Sequence, residues 1–119
     1  MARILLAEDD AQLLAFLSRG LRRAGHVVDS CDDGETALAH AHKTEYDLLL
    51  ADVVMPGIDG IELARRVTVR QPGIKVMFIT GFAAVALQDD RLALHRPRVL
   101  AKPFHLRHLI AEIEALLSQ

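Results

Sequence analysis

The residues best equipped for chemistry stand just after short apolar runs. Glu8, Asp9 and Asp10 follow Ile4-Leu5-Leu6-Ala7, and Asp52 follows Leu48-Leu49-Leu50-Ala51. Thr80 follows Val76-Met77-Phe78-Ile79, and Lys102, ahead of Pro103, follows Val99-Leu100-Ala101. Carboxylates from Glu8, Asp9 and Asp52 gathered at one edge would repel one another and rise in pKa unless a cation lay between them. An all-oxygen donor set of this hardness selects Mg²⁺, which keeps several waters and takes one or two carboxylates plus a phosphate oxygen. Lys102 as a point charge and the Thr80 hydroxyl as a donor complete a phosphoryl site. A carboxylate beside such a cation and a lysine suits covalent phosphoryl transfer onto Asp52.

These groups meet only if the elements between them return each run to the same edge. The apolar runs, with His26-Val27-Val28 as a fifth, are separated by segments whose apolar residues recur at three and four, the sign of βα units. Three runs are continuous, as in strands buried on both faces. One helical stripe is Leu13, Leu14, Leu17, Leu21 and Ala24; another is Leu106, Leu109, Ile110, Ile113, Leu116 and Leu117. Asp59 with Glu62 three residues later reads as a helix start, while Gly25 and Gly73, the latter after Pro72, mark helix stops. Five units with right-handed crossovers predict an α/β, doubly wound, flavodoxin-like parallel sheet of strand order 2-1-3-4-5 with five flanking helices. Ala83 to Arg98 reads as a short fourth helix and a Pro-containing loop. The carboxyl ends of the strands are where such a sheet binds its ligand.

Composition narrows the field. A length of 119 residues predicts one domain, 1–119, with no output module attached. Four per cent aromatic residues, no Trp and a net charge of -2 argue against a nucleic-acid surface. The lone Cys31 permits no internal disulfide and reads as a packing residue. No secretory leader is evident, and the apolar stretch from Val76 to Leu87 is too short for a membrane span. A cytoplasmic protein is expected.

The acid pair Glu8-Asp9, the block Asp47 to Gly60, the step Thr80-Gly81 and Lys102-Pro103-Phe104 closely resemble the receiver domain of bacterial two-component response regulators, over essentially the whole chain. The resemblance implies that Asp52 is the phosphoacceptor, with Asp9 a direct Mg²⁺ ligand, Glu8 acting mainly through water, and the Val54 backbone carbonyl a further ligand. It implies that Thr80 is the switch hydroxyl and Lys102 the phosphoryl counter-ion, before a cis peptide to Pro103. One position departs: Val99, three before Lys102, stands where Tyr or Phe is common, and Phe82 is the candidate to replace it. The opening residues, Met77 to Leu87 and Lys102 to Arg107 narrow the resemblance to stand-alone CpdR-type regulators of alphaproteobacteria. That implies a monomeric adaptor for the Clp unfoldase-protease, switched off by phosphorylation from a histidine phosphotransferase or sensor histidine kinase. Members can themselves be degraded, and Ser118-Gln119 departs from the small apolar ending that favours such turnover. Ala84, Val85 and Leu87 with His105, Arg107 and His108 form the candidate partner surface.

Plainer readings stand beside these. Asp9 and Asp10 could cap the first helix, Asp10 being the better placed. His40 and His42, or His105 and His108, could be metal ligands, but only the second pair shares a helix face and no third ligand lies near in sequence. Arg65, Arg66 and Arg70 read as a solvated helix face. An aspartyl phosphatase on a similar sheet would need a general acid two residues after the nucleophile, where Val54 stands. A flavin binder would need a phosphate cradle where the first loop is acidic. A phosphate shuttle or sink in a phosphorelay, or a receiver belonging to a larger hybrid kinase or regulator, shares every feature of the site. None of these readings involves an enzyme acting on a separate substrate, the phosphatase excepted.

Overall fold

The computed structural model describes residues 1–81 and 97–119. Five strands, β1 (Arg3–Ala7), β2 (Val27–Cys31), β3 (Leu48–Asp52), β4 (Lys75–Thr80) and β5 (Arg98–Ala101), form one parallel sheet in the order β2-β1-β3-β4-β5. Four helices are described: α1 (Ala11–Arg23), α2 (Gly34–Lys43), α3 (Gly60–Arg70) and α4 (Leu106–Leu117). The helix expected within Ala83 to Arg98 falls largely in 82–96, outside the described residues, and Arg98 itself opens β5.

The continuous apolar runs are explained by helices on both faces. Leu5, Ala7, Leu49, Ala51, Val76 and Phe78 point into one core, closed by Ala37 and Ala41 of α2 and Ile61, Leu63, Ala64 and Val67 of α3. Ile4, Leu6, Leu48, Leu50, Met77 and Ile79 point into the other, closed by Leu17 and Leu21 of α1 and Leu109, Ile113 and Leu116 of α4. Alternate residues of one strand thus serve opposite layers, so no position from Ile4 to Ala7 of β1 or from Leu48 to Ala51 of β3 is free to be polar. Each fully buried Leu contributes about 1.5–3 kcal/mol. Truncating one to Ala leaves a cavity and costs about 2–5 kcal/mol.

Aspartates start three of the helices. Asp10 accepts from the N–H groups of Gln12 and Leu13, Asp33 from Thr36, and Asp59 from Glu62. Each satisfies N–H groups that the first helical turn leaves unpaired. Gly25, at φ +100°, makes the turn from α1 into β2 that a side chain would strain. The consequence for function is positional: β1, β3, β4 and β5 all deliver their last residue to one edge of the sheet. No helix among the described residues is long and apolar enough to cross a membrane.

Candidate functional site

At that edge Glu8, Asp9 and Asp52 each offer a carboxylate oxygen within 4.8 Å of the others. Asp52 ends β3 and is almost buried, Glu8 follows β1 and is fully buried, and Asp9 is exposed. The parallel pairing of β1 with β3 sets the two buried acids side by side.

Lys102 comes from the far side of the sheet, one residue past β5. Its backbone N–H donates to the Thr80 carbonyl at 2.9 Å, which extends the β4–β5 ladder by one rung. Its ammonium Nζ donates to Asp52 Oδ2 at 2.7 Å and to Glu8 Oε1 at 3.1 Å. The other oxygens of both acids are also used: Asp10 N–H donates to Glu8 Oε2 and Val54 N–H to Asp52 Oδ1, both at 3.1 Å. Burial pushes the Glu8 carboxyl above its ordinary pKa and the Asp52 charge adds to this, against the opposing pull of the Asp10 N–H and of Lys102. Burial works against the Lys102 charge, but the hydrogen bonds and charges of Asp52 and Glu8 outweigh it and raise its pKa.

The donor set suits a hard divalent cation: clustered carboxylates, one exposed for entry and one kept costly to ionise while no metal neutralises it. Thr80 is fully buried at the end of β4. The Lys102–Pro103 peptide is cis. The loop after Asp52 is held close to the strand, with Gly60 N–H donating to the Val53 carbonyl at 2.8 Å. A Cβ on Gly60 would collide with the Asp52 carbonyl, so this return requires glycine.

Other residues singled out from the sequence lie elsewhere. Asp10 turns to the α1 N-terminus as its cap. The Val54 side chain is 53% exposed. Val99 is partly buried against the core beside Phe78, its partner in the β4–β5 register. His105, Arg107 and His108 are exposed at the start of α4, where His105 is the N-cap residue without a side-chain hydrogen bond and His108 Nε2 lies 3.5 Å from Glu112. Phe82, Ala84, Val85 and Leu87 lie outside the described residues. The histidines join no cluster of three metal ligands among the described residues. Cys31 is buried, its thiol pushed up to about 11 by burial and by the charges of Asp29, Asp33 and Asp32. Arg65 and Arg66 both bind Glu62, so this helix face is a small ion-pair network rather than free charge. Sequence reasoning passed over Glu35 of α2, whose Oε1 accepts from the Ile58 N–H at 3.2 Å.

A doubly wound sheet with an acidic cluster, a buried hydroxyl and a lysine at its carboxyl edge is the arrangement of a receiver domain. Residues 4–114 match the response regulator receiver domain, and the chain belongs to that family. It is 53% identical over 117 residues to the response regulator receiver protein CpdR of Brucella abortus (strain 2308), covering 98% of each chain. Among solved structures, the response regulator TrrA of Thermotoga maritima in complex with Mg²⁺-BeF superposes with a TM-score of 0.87 at 27% identity, covering 98% of this chain and 99% of that one. The receiver domain of the hybrid histidine kinase CckA gives 0.82 at 32% identity, covering 97% and 98%. Matching transcriptional regulators, 34% to 37% identical, are spanned over about half their length.

Proposed function

We propose that this chain is a phosphorylation-controlled binding module: Asp52 accepts a phosphoryl group from a phosphohistidine donor, and its charge switches the affinity of the domain for a partner protein. The observation that carries the reading is Lys102 Nζ held between Asp52 and Glu8 at the strand ends. A bound Mg²⁺, held by Asp9, Asp52 and the Val54 carbonyl with Glu8 behind water, would neutralise charge on the transferring group.

In the transfer, a carboxylate oxygen of Asp52 forms the O–P bond as the N–P bond of the phosphohistidine breaks. The phosphohistidine reacts with its other ring nitrogen protonated, so the departing imidazole leaves as the neutral side chain of the donor, a histidine phosphotransferase or sensor histidine kinase. The Val54 N–H fixes the orientation of the Asp52 carboxylate from one side and Lys102 from the other. Lys102 is the counter-ion to the new phosphoryl oxygens, and the Thr80 hydroxyl, at the end of the neighbouring strand, is the donor that turns toward them. Water later cleaves the acyl phosphate, releasing inorganic phosphate and restoring the Asp52 carboxylate.

The finer reading is that this domain is a cytoplasmic, monomeric adaptor for a Clp unfoldase-protease, active when unphosphorylated, with no role for nucleic acid or membrane. The match to CpdR, which covers 98% of that relative's length, supports it. The test is binding of the Clp unfoldase to the protein with and without Mg²⁺ and beryllofluoride, with Asp52→Ala as control. Binding by the free form and by Asp52→Ala, lost only when the mimic loads the unsubstituted protein, is the expected result. Absence of binding in both states refutes the adaptor role and favours a phosphate shuttle or sink, the role that the likeness to the CckA receiver would suit.

A further inference from the structure

The loop from Val53 to Asp59 carries the Val54 N–H and carbonyl that border Asp52, so its geometry sets the site. Its two ends are tied to their own elements: Val54 N–H to Asp52 Oδ1, and Gly60 N–H to the Val53 carbonyl. Its middle is tied to a different element altogether. Glu35, in the first turn of α2, accepts from Ile58 N–H, and its carboxylate lies where a Cβ on Gly57 would stand. Gly57 has φ +76°, a conformation that suits glycine and lets the chain pass under that carboxylate. The contact is reciprocal: a Cβ on Gly34 of α2 would press on the Ile58 side chain and carbonyl. Two glycines, one in each segment, thus let α2 and the loop interlock, and Glu35 supplies the hydrogen bond between them.

We infer that Glu35 is a positioning residue for the phosphoryl site, clasping the middle of the Asp52 loop to α2 so that the backbone of Val54 faces the metal and phosphoryl group. The inference rests on the reading of Asp52 as phosphoacceptor. Glu35 touches neither metal nor phosphoryl group and bonds no ligand directly; it acts one step further out, through the Ile58 N–H, and loss of partners bonded to the ligands themselves typically costs about 10–100-fold in metal affinity. The bond is exposed, so the lower end applies.

The test is calorimetric titration of Mg²⁺ and beryllofluoride into the full chain as Glu35→Ala, Glu35→Gln and Gly57→Ala, with urea unfolding of each. Glu35→Ala is expected to weaken binding by about tenfold. Glu35→Gln, which keeps the acceptor and removes only the charge, is expected to restore it to within about threefold. Gly57→Ala, which drives a methyl into the Glu35 carboxylate, is expected to reproduce the loss, and the double variant Glu35→Ala/Gly57→Ala to lose less than the sum of the two. Binding by Glu35→Ala equal to that of the unsubstituted protein, or by Glu35→Gln as weak as by Glu35→Ala, overturns the clasp. Failure of the unsubstituted protein to bind the mimic overturns the phosphoacceptor reading beneath it.

Discussion

Replacing Lys102 by Met tests whether the charge pattern at the sheet edge is what the geometry implies. Lys102 Nζ stands 2.7 Å from Asp52 and 3.1 Å from Glu8, with Asp52 nearly buried and Glu8 fully so. At an effective dielectric near 20 the gross attraction is about 6 kcal/mol to Asp52 and about 5 kcal/mol to Glu8. Desolvating the ammonium offsets much of that, and the lysine side chain is still 28% exposed, so a net loss of about 2 kcal/mol is expected at pH 7. The pH dependence sharpens the test. Glu8 has a folded pKa raised above its ordinary value, so its ionisation costs stability as pH rises through that pKa, whereas below the unfolded value it is protonated in both states and costs nothing. Lys102 is one of the groups holding that pKa down, so its removal enlarges the cost at neutral pH and leaves it small near pH 4. Lys102's own raised pKa adds no difference between these two conditions, its contribution being complete below the unfolded lysine value and lost only as pH rises through the folded one. Urea unfolding of both proteins at pH 7 and pH 4 without divalent cations measures the difference. A deficit equal at the two pH values, or none at pH 7, would refute the reasoning.

Glu8→Gln should weaken Mg²⁺ binding in a titration, because the amide keeps an acceptor for Asp10 N–H but loses the charge and the second oxygen, which accepts from Lys102 Nζ; unchanged affinity would count against Glu8 as part of the metal pocket. Val54→Asn should shorten the lifetime of the Asp52 phosphoryl group several-fold, since the exposed Val54 offers hydrolytic water no partner; an unchanged half-life after acetyl phosphate loading would count against that mechanism. Asp59→Ala should lower stability by about 1 kcal/mol through loss of the α3 cap, read as a shift in urea midpoint at constant slope.

Legibility in the sequence followed burial. β1, β3 and β4 stood out because both their faces are covered, which forces unbroken apolar runs that stop where the site begins. The polar residues immediately after them were therefore readable as a group before any contact was known. β2 is an edge strand whose buried residues are Val28 and Cys31, so its only apolar signal is His26-Val27-Val28 and its polar continuation through Asp29 and Ser30 looks like loop. α2 left no stripe of large apolar residues, because it meets the core with Gly34, Ala37 and Ala41. For the same reason Glu35 could not be connected to the site. Its partner Ile58 is 23 residues away, and a glutamate in the first turn of a helix is sufficiently explained by the helix dipole.

The arrangement also constrains how a phosphoryl group on Asp52 could be felt elsewhere. Lys102 already donates two of its three N–H groups to Asp52 and Glu8, so phosphorylation of Asp52 replaces a partner that Lys102 has rather than offering a first one. The net gain is the difference between a shared carboxylate and a phosphoryl group carrying more charge and more acceptors, and only that difference can shift a conformational equilibrium. Lys102 leads within four residues into α4, and Thr80 ends β4 immediately before 82–96. The two side chains that would exchange partners thus border the segments proposed to meet another protein. A phosphoryl mimic should accordingly change amide exchange at 81–97 and 102–108 more than in β1 or β3. Equal changes throughout the sheet would place the switch elsewhere.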